Sequence, residues 1–449
     1  MATKVGSSTK NGSDKAVFAC GDCGHVSPKW FGRCPECGGW GTAGDDTPVE
    51  GGLHVVQLVE CGIDPRRLTS GWEEVDRVLG GGFVEGEIVL LAGEPGVGKS
   101  TLVLQVLNGL MGAGHSCLLV TAEESVQQVG LRAARIGIDV GKLKVAAGSN
   151  VQSIVAACNK ARPDVLVVDS IQTVRDPNIE QSAGSVVQVR ECAARLADFA
   201  KSTGTCVVLV GHVTKEGSVA GPKVLEHLVD AVVTLEGDAR GAMRCLRAMK
   251  NRFGSCDELG IFTMASRGLE AVGDPSAMLL EDRHPEASGS VVFSSLEGGR
   301  ALLVEVQALA TPSSLTQPRR VAVGVDPRRL SLVVATLMQC WDKNLGSSDV
   351  FVAAAGGLAV REPAADLALC VALVSAKTKR RVDSRTVFVG EVGLAGEVRR
   401  VPGIERRLRE AVRLGFTSAI VPYSARDVSV DGVDIAPVRD VNQAVSALS

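Results

Sequence analysis

Short apolar runs alternate with helical patterns through the middle of the chain. Five of these runs predict buried strands, at residues 87–92, 116–121, 165–169, 205–212 and 231–236. Helical spacing of apolar residues falls between most of them, for example at residues 101–110. A further helix is predicted within residues 68–82, with Thr69 or Ser70 as its N-cap and glycines at its end. This alternation predicts an α/β fold with a mostly parallel sheet that helices cover on both faces.

Length and composition predict a globular protein of two or three domains. The chain has 449 residues, of which 45% are hydrophobic and 22% charged. Its net charge of −3 excludes an overall basic character, so any nucleic acid would have to bind at a local basic patch. No apolar stretch is long enough to span a bilayer, and the N-terminus lacks the apolar core of a signal peptide. We therefore expect a cytoplasmic protein with no membrane partner.

Changes in composition along the chain indicate three parts. Residues 41–54 have the composition of a linker, and the pattern changes again after residue 273. We expect an N-terminal tail, a small metal-binding finger and the linker at residues 1–54. A nucleotide-binding domain would occupy residues 55–273, and a second α/β domain residues 274–449.

A phosphate-binding motif stands between the first predicted strand and the helix that follows it. Residues 93–100 read GEPGVGKS and match the pattern G-x-x-x-x-G-K-[ST] in its strand–loop–helix context. Its glycines let backbone N–H groups surround a polyphosphate, Lys99 would reach the β- and γ-phosphates, and Ser100 would hold Mg²⁺. A glycine-rich turn formed by chance is the alternative. The predicted nucleotide-binding residues are Gly93, Glu94, Pro95, Gly96, Val97, Gly98, Lys99, Ser100 and Thr101.

Two C-x-x-C pairs near the N-terminus predict a zinc site. Each pair places two thiolates on one tight turn, and the two turns can close on one tetrahedral ion. Disulfides or a redox pair are the alternatives, and both the reducing compartment and the spacing favour zinc. The aromatic side chains nearby, Trp30, Phe31 and Trp40, would pack against the finger or stack on bases. The predicted ligands are Cys20, Cys23, Cys34 and Cys37.

Polar residues at three strand ends complete the candidate nucleotide site. Asp169 ends an apolar strand, as a second carboxylate for Mg²⁺ does, although an acid also ends strands by chance. Glu123 and Glu124 follow another strand, and either could orient the attacking water; we assign Glu123 as general base. A solvated acidic pair at a helix N-terminus is the alternative for both. His212 ends a further strand and could sense a γ-phosphate, or be structural.

Two cations stand one residue apart on a predicted hairpin, within residues 250–254 (KNRFG). In a strand, Lys250 and Arg252 would project to one face. They could form a solvated edge, or they could enter a neighbouring subunit's active site as fingers that stabilise transition-state charge. The residues alone leave both interpretations open.

Together these motifs resemble the RadA (Sms) family of bacterial DNA repair proteins, which are relatives of RecA. The resemblance extends over nearly the whole chain. It is carried by the four-cysteine motif, the phosphate loop, residues 211–217 (GHVTKEG) and residues 250–254 (KNRFG). The KNRFG string is far more specific to that family than the phosphate loop is.

The resemblance implies a RecA-like parallel-sheet ATPase core between an N-terminal four-cysteine zinc finger and a C-terminal Lon-protease-like α/β domain. It implies a DNA-dependent ATPase that uses ATP, Mg²⁺ and Zn²⁺ and forms hexameric rings on single-stranded DNA. Such a motor would promote branch migration of recombination intermediates, and thus act on branched DNA, together with RecA. Lys250 and Arg252 would act across the subunit interface. Two loops, at residues 172–185 and 215–226, would face DNA through Arg175, Lys215 and Lys223.

The C-terminal segments resemble the proteolytic domain of Lon proteases, which use a serine–lysine dyad. The resemblance lies in residues 349–358, 362–367 and 390–403. Ala364 stands at the serine position and Glu405 at the lysine position, so nucleophile and activating amine are both missing. We therefore expect a scaffold, with a basic DNA-contacting surface or a plain solvated charge run at Lys377, Lys379, Arg380 and Arg381.

Three functions are consistent with these motifs. A recombination motor is the leading interpretation. An ATP-dependent protease is disfavoured by the missing dyad. A nucleotide switch or adaptor without motor activity remains a third interpretation, because no residue in the sequence reports on translocation.

Overall fold

The computed structural model describes residues 18–20, 26–27, 31–35, 43–45, 66–212, 222–237, 243–357, 360–446 and 448. The chain divides into two compact units, Met1–Asp64 and Pro65–Ser449. The described strands of the first unit are β1 (Phe18–Cys20), β2 (Val26–Ser27) and β3 (Ala43–Asp45). They form an antiparallel sheet with β1 in the centre.

The second unit begins with an antiparallel ribbon of β4 (Arg67–Leu68) and β5 (Phe83–Val84). A nine-stranded sheet follows. Its strands are β6 (Ile88–Gly93), β7 (Cys117–Thr121), β8 (Lys144–Ala147), β9 (Val165–Asp169), β10 (Cys206–His212), β11 (Ala231–Glu236), β12 (Met243–Asn251), β13 (Leu259–Ala265) and β14 (Gly268–Ala271). The spatial order is β14-β13-β12-β11-β6-β10-β9-β7-β8.

The six strands from β11 to β8 run parallel, whereas β12, β13 and β14 are antiparallel additions at one side. The five strands predicted from apolar runs are confirmed, each to within one residue at either end. The parallel core brings the carboxyl ends of its strands to one edge of the sheet, where ligands bind in such folds.

Helices cover both faces of this sheet. They are α1 (Glu73–Val78), α2 (Lys99–Gly112), α3 (Val126–Arg135), α4 (Val151–Ala161), α5 (Val186–Thr203) and α6 (Pro222–Leu225). Leu91 of β6 shares an apolar cluster with α1, α2 and α3, whereas its neighbour Leu90 shares a second cluster with α4 and α5. Successive residues of a buried strand thus face opposite helix layers. The α/β fold class with a largely parallel sheet is confirmed.

The predicted cap of the first helix is wrong. Helix α1 begins at Glu73, and its N-cap is Trp72, which makes no side-chain capping bond. The Ser70 hydroxyl oxygen instead accepts a hydrogen bond from the Trp72 N–H at 3.1 Å, and the Ser70 N–H donates to the Asp76 carboxylate at 2.9 Å. The polar groups of Ser70 therefore stabilise the turn before the helix, because Asp76 reaches back across it.

A second sheet follows after residue 273. The elements of this region are α7 (Pro275–Leu280), β15 (Ser290–Glu297), β16 (Arg300–Pro312), β17 (Arg320–Val323), α8 (Pro327–Cys340), β18 (Ser348–Ala354), α9 (Asp366–Thr378), β19 (Thr386–Phe388), β20 (Glu391–Val392), β21 (Val398–Arg399), α10 (Ile404–Arg413), β22 (Ser418–Pro422), β23 (Asp434–Val438) and α11 (Val441–Ser446). Seven strands form the sheet in the order β17-β18-β16-β15-β19-β22-β23, and β20 pairs with β21.

The two sheets are joined by apolar packing and by ion pairs. Ile261 of β13 belongs to the same buried cluster as Phe293 of β15. Arg300, the first residue of β16, adds an ion pair with the buried Glu74 at 2.9 Å. The predicted boundary at residue 273 falls between β14 and α7, and like the boundary at residue 54 it stays a prediction.

A buried ion pair stabilises the second sheet and yields a testable prediction. Arg407 is 1% exposed, and its guanidinium contacts both carboxylate oxygens of Glu362, at 2.8 and 2.6 Å. Replacing Glu362 by alanine leaves the buried Arg407 guanidinium without its carboxylate partner. We therefore expect the free energy of unfolding, measured by urea denaturation, to fall by about 3–5 kcal/mol. The matched control is Glu405→Ala, which breaks the exposed pair with Arg409 and should cost about 0.5 kcal/mol or less. Equal losses in the two variants would contradict the prediction.

Candidate nucleotide site

The phosphate loop connects the carboxyl end of β6 to the start of α2. Gly96 and Gly98 have φ angles of 79° and 115°, which other residues rarely adopt. At Gly93, an added Cβ would lie 2.6 Å from the Leu235 carbonyl oxygen, so that position also requires glycine. The whole predicted set from Gly93 to Thr101 lies on this strand–loop–helix unit.

The ammonium of Lys99 is directed into the loop. Lys99 is 4% exposed, and its Nζ donates to the carbonyl oxygens of Gly93 at 2.9 Å and Glu94 at 3.0 Å. Burial lowers the pKa of Lys99, and the nearby carboxylates of Asp169 and Glu123 oppose this shift. A buried cation at the N-terminus of a helix, within a glycine loop, is suited to bind phosphate oxygens.

Ser100 and Asp169 form the hydroxyl–carboxylate pair that Mg²⁺ coordination in such sites requires. The Ser100 hydroxyl and the Asp169 carboxylate line the same cavity. Burial raises the pKa of Asp169, while the nearby Ser100 hydroxyl lowers it and Glu123 raises it further. Both residues offer oxygen ligands, which Mg²⁺ prefers. The residues therefore fit a Mg²⁺–nucleotide complex.

The two candidate general bases have different partners. Glu123 accepts a hydrogen bond from the Ser170 hydroxyl and lies 3.6 Å from Nε2 of His212. Glu124 instead forms an ion pair with Arg132 of α3. Glu123 thus faces the strand end that carries Asp169, whereas the Glu124 carboxylate is neutralised by the guanidinium of Arg132 on α3.

His212 lies between the lysine and the candidate base. Its Nδ1 is 3.0 Å from Nζ of Lys99, and its Nε2 is directed at Glu123. Because an ammonium only donates, Nδ1 accepts from Lys99 and Nε2 carries the proton toward the carboxylate. One cavity is lined by Ser100, Glu123, Asp169 and His212, so the structure brings the predicted nucleotide residues of four strand ends together.

Three residues in and beside this site were not identified from the sequence. Ser170 orients Glu123, and Arg132 holds Glu124. Gln188 of α5 is 2% exposed and organises the predicted DNA loop, since its side chain bonds to Asp176, Ile179 and Gln181. The Ser170 contact joins residues 47 apart in the sequence, and the contacts of Arg132 and Gln188 depend on how a helix folds back on the segment before it. Only the position of Ser170 directly after Asp169 could have signalled a role.

The predicted DNA-contacting cations are only partly described. Arg175 is exposed, and its backbone bridges to Asn150 at the end of the sheet. Lys215 lies outside the described residues. Lys223 belongs to the short helix α6.

Lys250 and Arg252 lie at the opposite end of the sheet from the phosphate loop. Asn251 pairs with Ala231 at the start of β11, whereas Gly93 pairs with Leu235 near the end of that strand. Lys250 donates to the carbonyl oxygens of Glu226 and Val229, at 2.5 and 2.8 Å, and Arg252 pairs with Asp230 at 3.1 Å. Neither cation reaches the phosphate loop of its own chain.

Two of the four predicted zinc ligands lie outside the described residues. Cys20 ends β1 and Cys34 is 2% exposed, whereas Cys23 and Cys37 are not described. In the part of the chain that the structure describes, no group of three or more metal-ligating side chains occurs. The predicted four-cysteine site therefore stays a prediction of the sequence.

The two positions of the Lon-type dyad have different environments. Ala364 is 1% exposed, just before α9, whereas the Glu405 side chain is exposed on α10 and pairs with Arg409. The basic cluster nearby is partly occupied by contacts within the chain: Lys377 bonds to Ser348, Arg380 to the Leu448 carbonyl and Arg381 to Glu286. No helix among the described segments is both long and apolar enough to cross a membrane.

Three family models match parts of the chain. A rubredoxin metal binding domain matches residues 18–43, an AAA domain residues 63–218, and subunit ChlI of Mg-chelatase residues 350–425. The AAA match includes the phosphate loop, Glu123 and Asp169, so the nucleotide site belongs to an ATPase domain. Among solved structures, a KaiC-like protein from Pyrococcus horikoshii aligns with a TM-score of 0.40 and 23% identity, over 46% of this chain and 100% of its own.

Curated relatives match along almost the whole chain. The DNA repair protein RadA of Aquifex aeolicus is 42% identical over 446 residues, which cover 97% of this chain and 100% of the relative. RadA of Bacillus subtilis is 43% identical, covering 96% and 98%, and RadA of Pseudomonas aeruginosa 44%, covering 97% and 99%. The resemblance expected from the motifs is thereby confirmed: the chain belongs to the RadA family of DNA repair proteins.

Proposed function

We propose that this protein is a DNA-dependent ATPase that drives branch migration of recombination intermediates as a hexameric ring on single-stranded DNA, together with RecA. The observation that carries the proposal is the convergence of Ser100, Asp169, Glu123 and His212 in one cavity, with Nζ of Lys99 3.0 Å from His212. The name of the relatives, DNA repair protein RadA, supports DNA as the partner. The cytoplasm is the proposed location.

Each of these five residues has a proposed role in ATP hydrolysis. Lys99 exchanges the carbonyl oxygens of its own loop for the β- and γ-phosphate oxygens. Ser100 and Asp169 would hold Mg²⁺, which neutralises charge developing on the phosphates. Glu123, oriented by Ser170, takes the proton of the attacking water. His212 lies 3.0 Å from Nζ of Lys99 and 3.6 Å from Glu123, so loss of the γ-phosphate would alter these contacts and be signalled to the residues that follow β10.

A ring would let Lys250 and Arg252 act on a neighbour's nucleotide. Both cations are remote from the phosphate loop of their own chain, which supports an intermolecular role. The Arg252 side chain is 53% exposed, so it can reach a second subunit by leaving Asp230. Arg175, Lys215 and Lys223 would contact DNA phosphates, and repetition around the ring would compensate for so few charges. Zn²⁺ on Cys20, Cys23, Cys34 and Cys37 would fold the finger that docks on a partner.

Proteolysis is not part of this proposal. A buried Ala364 supplies no nucleophile, and an exposed Glu405 supplies no activated amine. The C-terminal sheet would serve ring assembly.

The test is ATP hydrolysis by the full chain, with and without single-stranded DNA, over a range of salt. We expect DNA to stimulate hydrolysis and salt to weaken the stimulation, because binding to phosphates releases counterions. Three phosphate contacts predict a slope of about −2 in the logarithm of DNA affinity against that of salt concentration, at about −0.7 per contact. A rate indifferent to DNA would overturn the motor and favour the nucleotide switch.

A further inference from the structure

A buried arginine on β12 donates a hydrogen bond to the phosphate loop. Arg244 lies near the start of β12 and is 3% exposed. Its Nε donates to the Val97 carbonyl oxygen at 3.1 Å, and its Nη1 to the Met243 carbonyl oxygen at 2.9 Å. Strand β12 is two strands away from β6, so the long side chain crosses β11 to reach the loop.

The bond to Val97 fixes the orientation of one peptide group in the loop. The carbonyl of Val97 and the N–H of Gly98 belong to the same planar trans peptide, so they point in opposite directions. A donor that holds the carbonyl toward β12 therefore turns the Gly98 N–H away from β12. Backbone N–H groups of this loop, at the N-terminus of α2, are the groups that bind phosphate oxygens.

Two glycines allow this arrangement. Gly98 has a φ of 115°, so the peptide can adopt this orientation without strain from a side chain. At Gly237, an added Cβ would lie 2.6 Å from Cδ of Arg244, so only glycine leaves room for the arginine stem. A charged donor also polarises the peptide it binds, which strengthens the N–H at its other end.

We propose that Arg244 is a positioning residue for nucleotide binding, which holds the Val97 carbonyl outward and thereby directs the Gly98 N–H at the polyphosphate. This inference rests on the proposed function, in which the loop binds ATP. Arg244 would act through this peptide and not by contact with the nucleotide. Its effect is transmitted through one peptide plane, so its loss weakens the binding of any ligand that places phosphate in the loop.

The test compares Arg244→Met and Arg244→Gln in the full chain. Methionine fills the space without a donor, whereas glutamine keeps a neutral donor. We expect Arg244→Met to raise the KM for ATP and the Kd for ADP about tenfold, with kcat within about twofold, because the N–H binds ground and transition states alike. Arg244→Gln should restore most of the affinity but leave the KM about threefold above the wild type, because a neutral donor is weaker than a guanidinium, which a merely structural role would not predict.

Arg247→Met is the matched control, since Arg247 lies on the same strand but pairs with Glu297 at 2.7 Å. Its nucleotide affinity should equal that of the wild type. An unchanged KM for ATP and Kd for ADP in Arg244→Met, or an equal loss of nucleotide affinity in Arg247→Met, would overturn the inference about Arg244 but not the proposed function. A wild-type chain that binds no ATP would overturn the proposed function with it. If Arg244→Met does not fold, Arg244→Gln decides: a KM about threefold raised supports the inference, and an unchanged KM overturns it.

Discussion

Replacing Lys99 by alanine is expected to abolish ATP hydrolysis, lowering kcat by about 10³-fold or more, while the fold stays intact. Lys99 supplies the buried positive charge of the phosphate loop and lies within 3.0 Å of His212. Its removal deletes the positive charge that would stabilise the γ-phosphate as it leaves. The measurement is steady-state hydrolysis at saturating ATP.

Stability should change little in the Lys99→Ala chain, because burial already disfavours the ammonium and lowers its pKa. A thermal melt by circular dichroism tests this point. Lys142→Ala is the matched control: Lys142 lies in the same unit, its side chain is 72% exposed, and it pairs only across the surface with Asp139. Hydrolysis should be unchanged in this control. Normal turnover in Lys99→Ala would refute the assignment of the loop.

The sequence predicts the parallel core well, because burial on both faces makes each central strand a continuous apolar run. It predicts the antiparallel strands poorly. Strand β12 carries Arg244, Arg247 and Lys250 among apolar residues, so it shows no clean alternation. The structure explains the irregularity: each of these cations has its own distant partner, in the phosphate loop, in the second sheet and in the turn before β11.

The same distinction between local and distant contacts applies to the site. The phosphate loop is a contiguous motif, so its residues follow from the sequence. Choosing between Glu123 and Glu124 depends instead on Ser170 and Arg132, which approach from another strand and from a helix. Adjacent acidic residues are indistinguishable until the fold supplies their partners.

Replacing Glu123 by glutamine is expected to lower kcat by about 10²–10⁴-fold while ATP still binds. Glutamine keeps the size of the side chain and an oxygen that accepts the Ser170 hydroxyl, but it cannot take a proton from water. The matched variant Glu124→Gln changes a second carboxylate of the same cavity, one that is already paired with Arg132, so we expect a change of less than about tenfold.

Single-turnover hydrolysis and ADP binding, measured on both glutamine variants, separate chemistry from affinity. A loss confined to Glu123→Gln, with ADP affinity unchanged, supports Glu123 as the general base. A larger loss in Glu124→Gln would exchange the two roles and would require Arg132 to release Glu124 during turnover. Because the two carboxylates are adjacent in the chain and differ mainly in their partners, this comparison isolates the effect of orientation by Ser170 from that of charge alone.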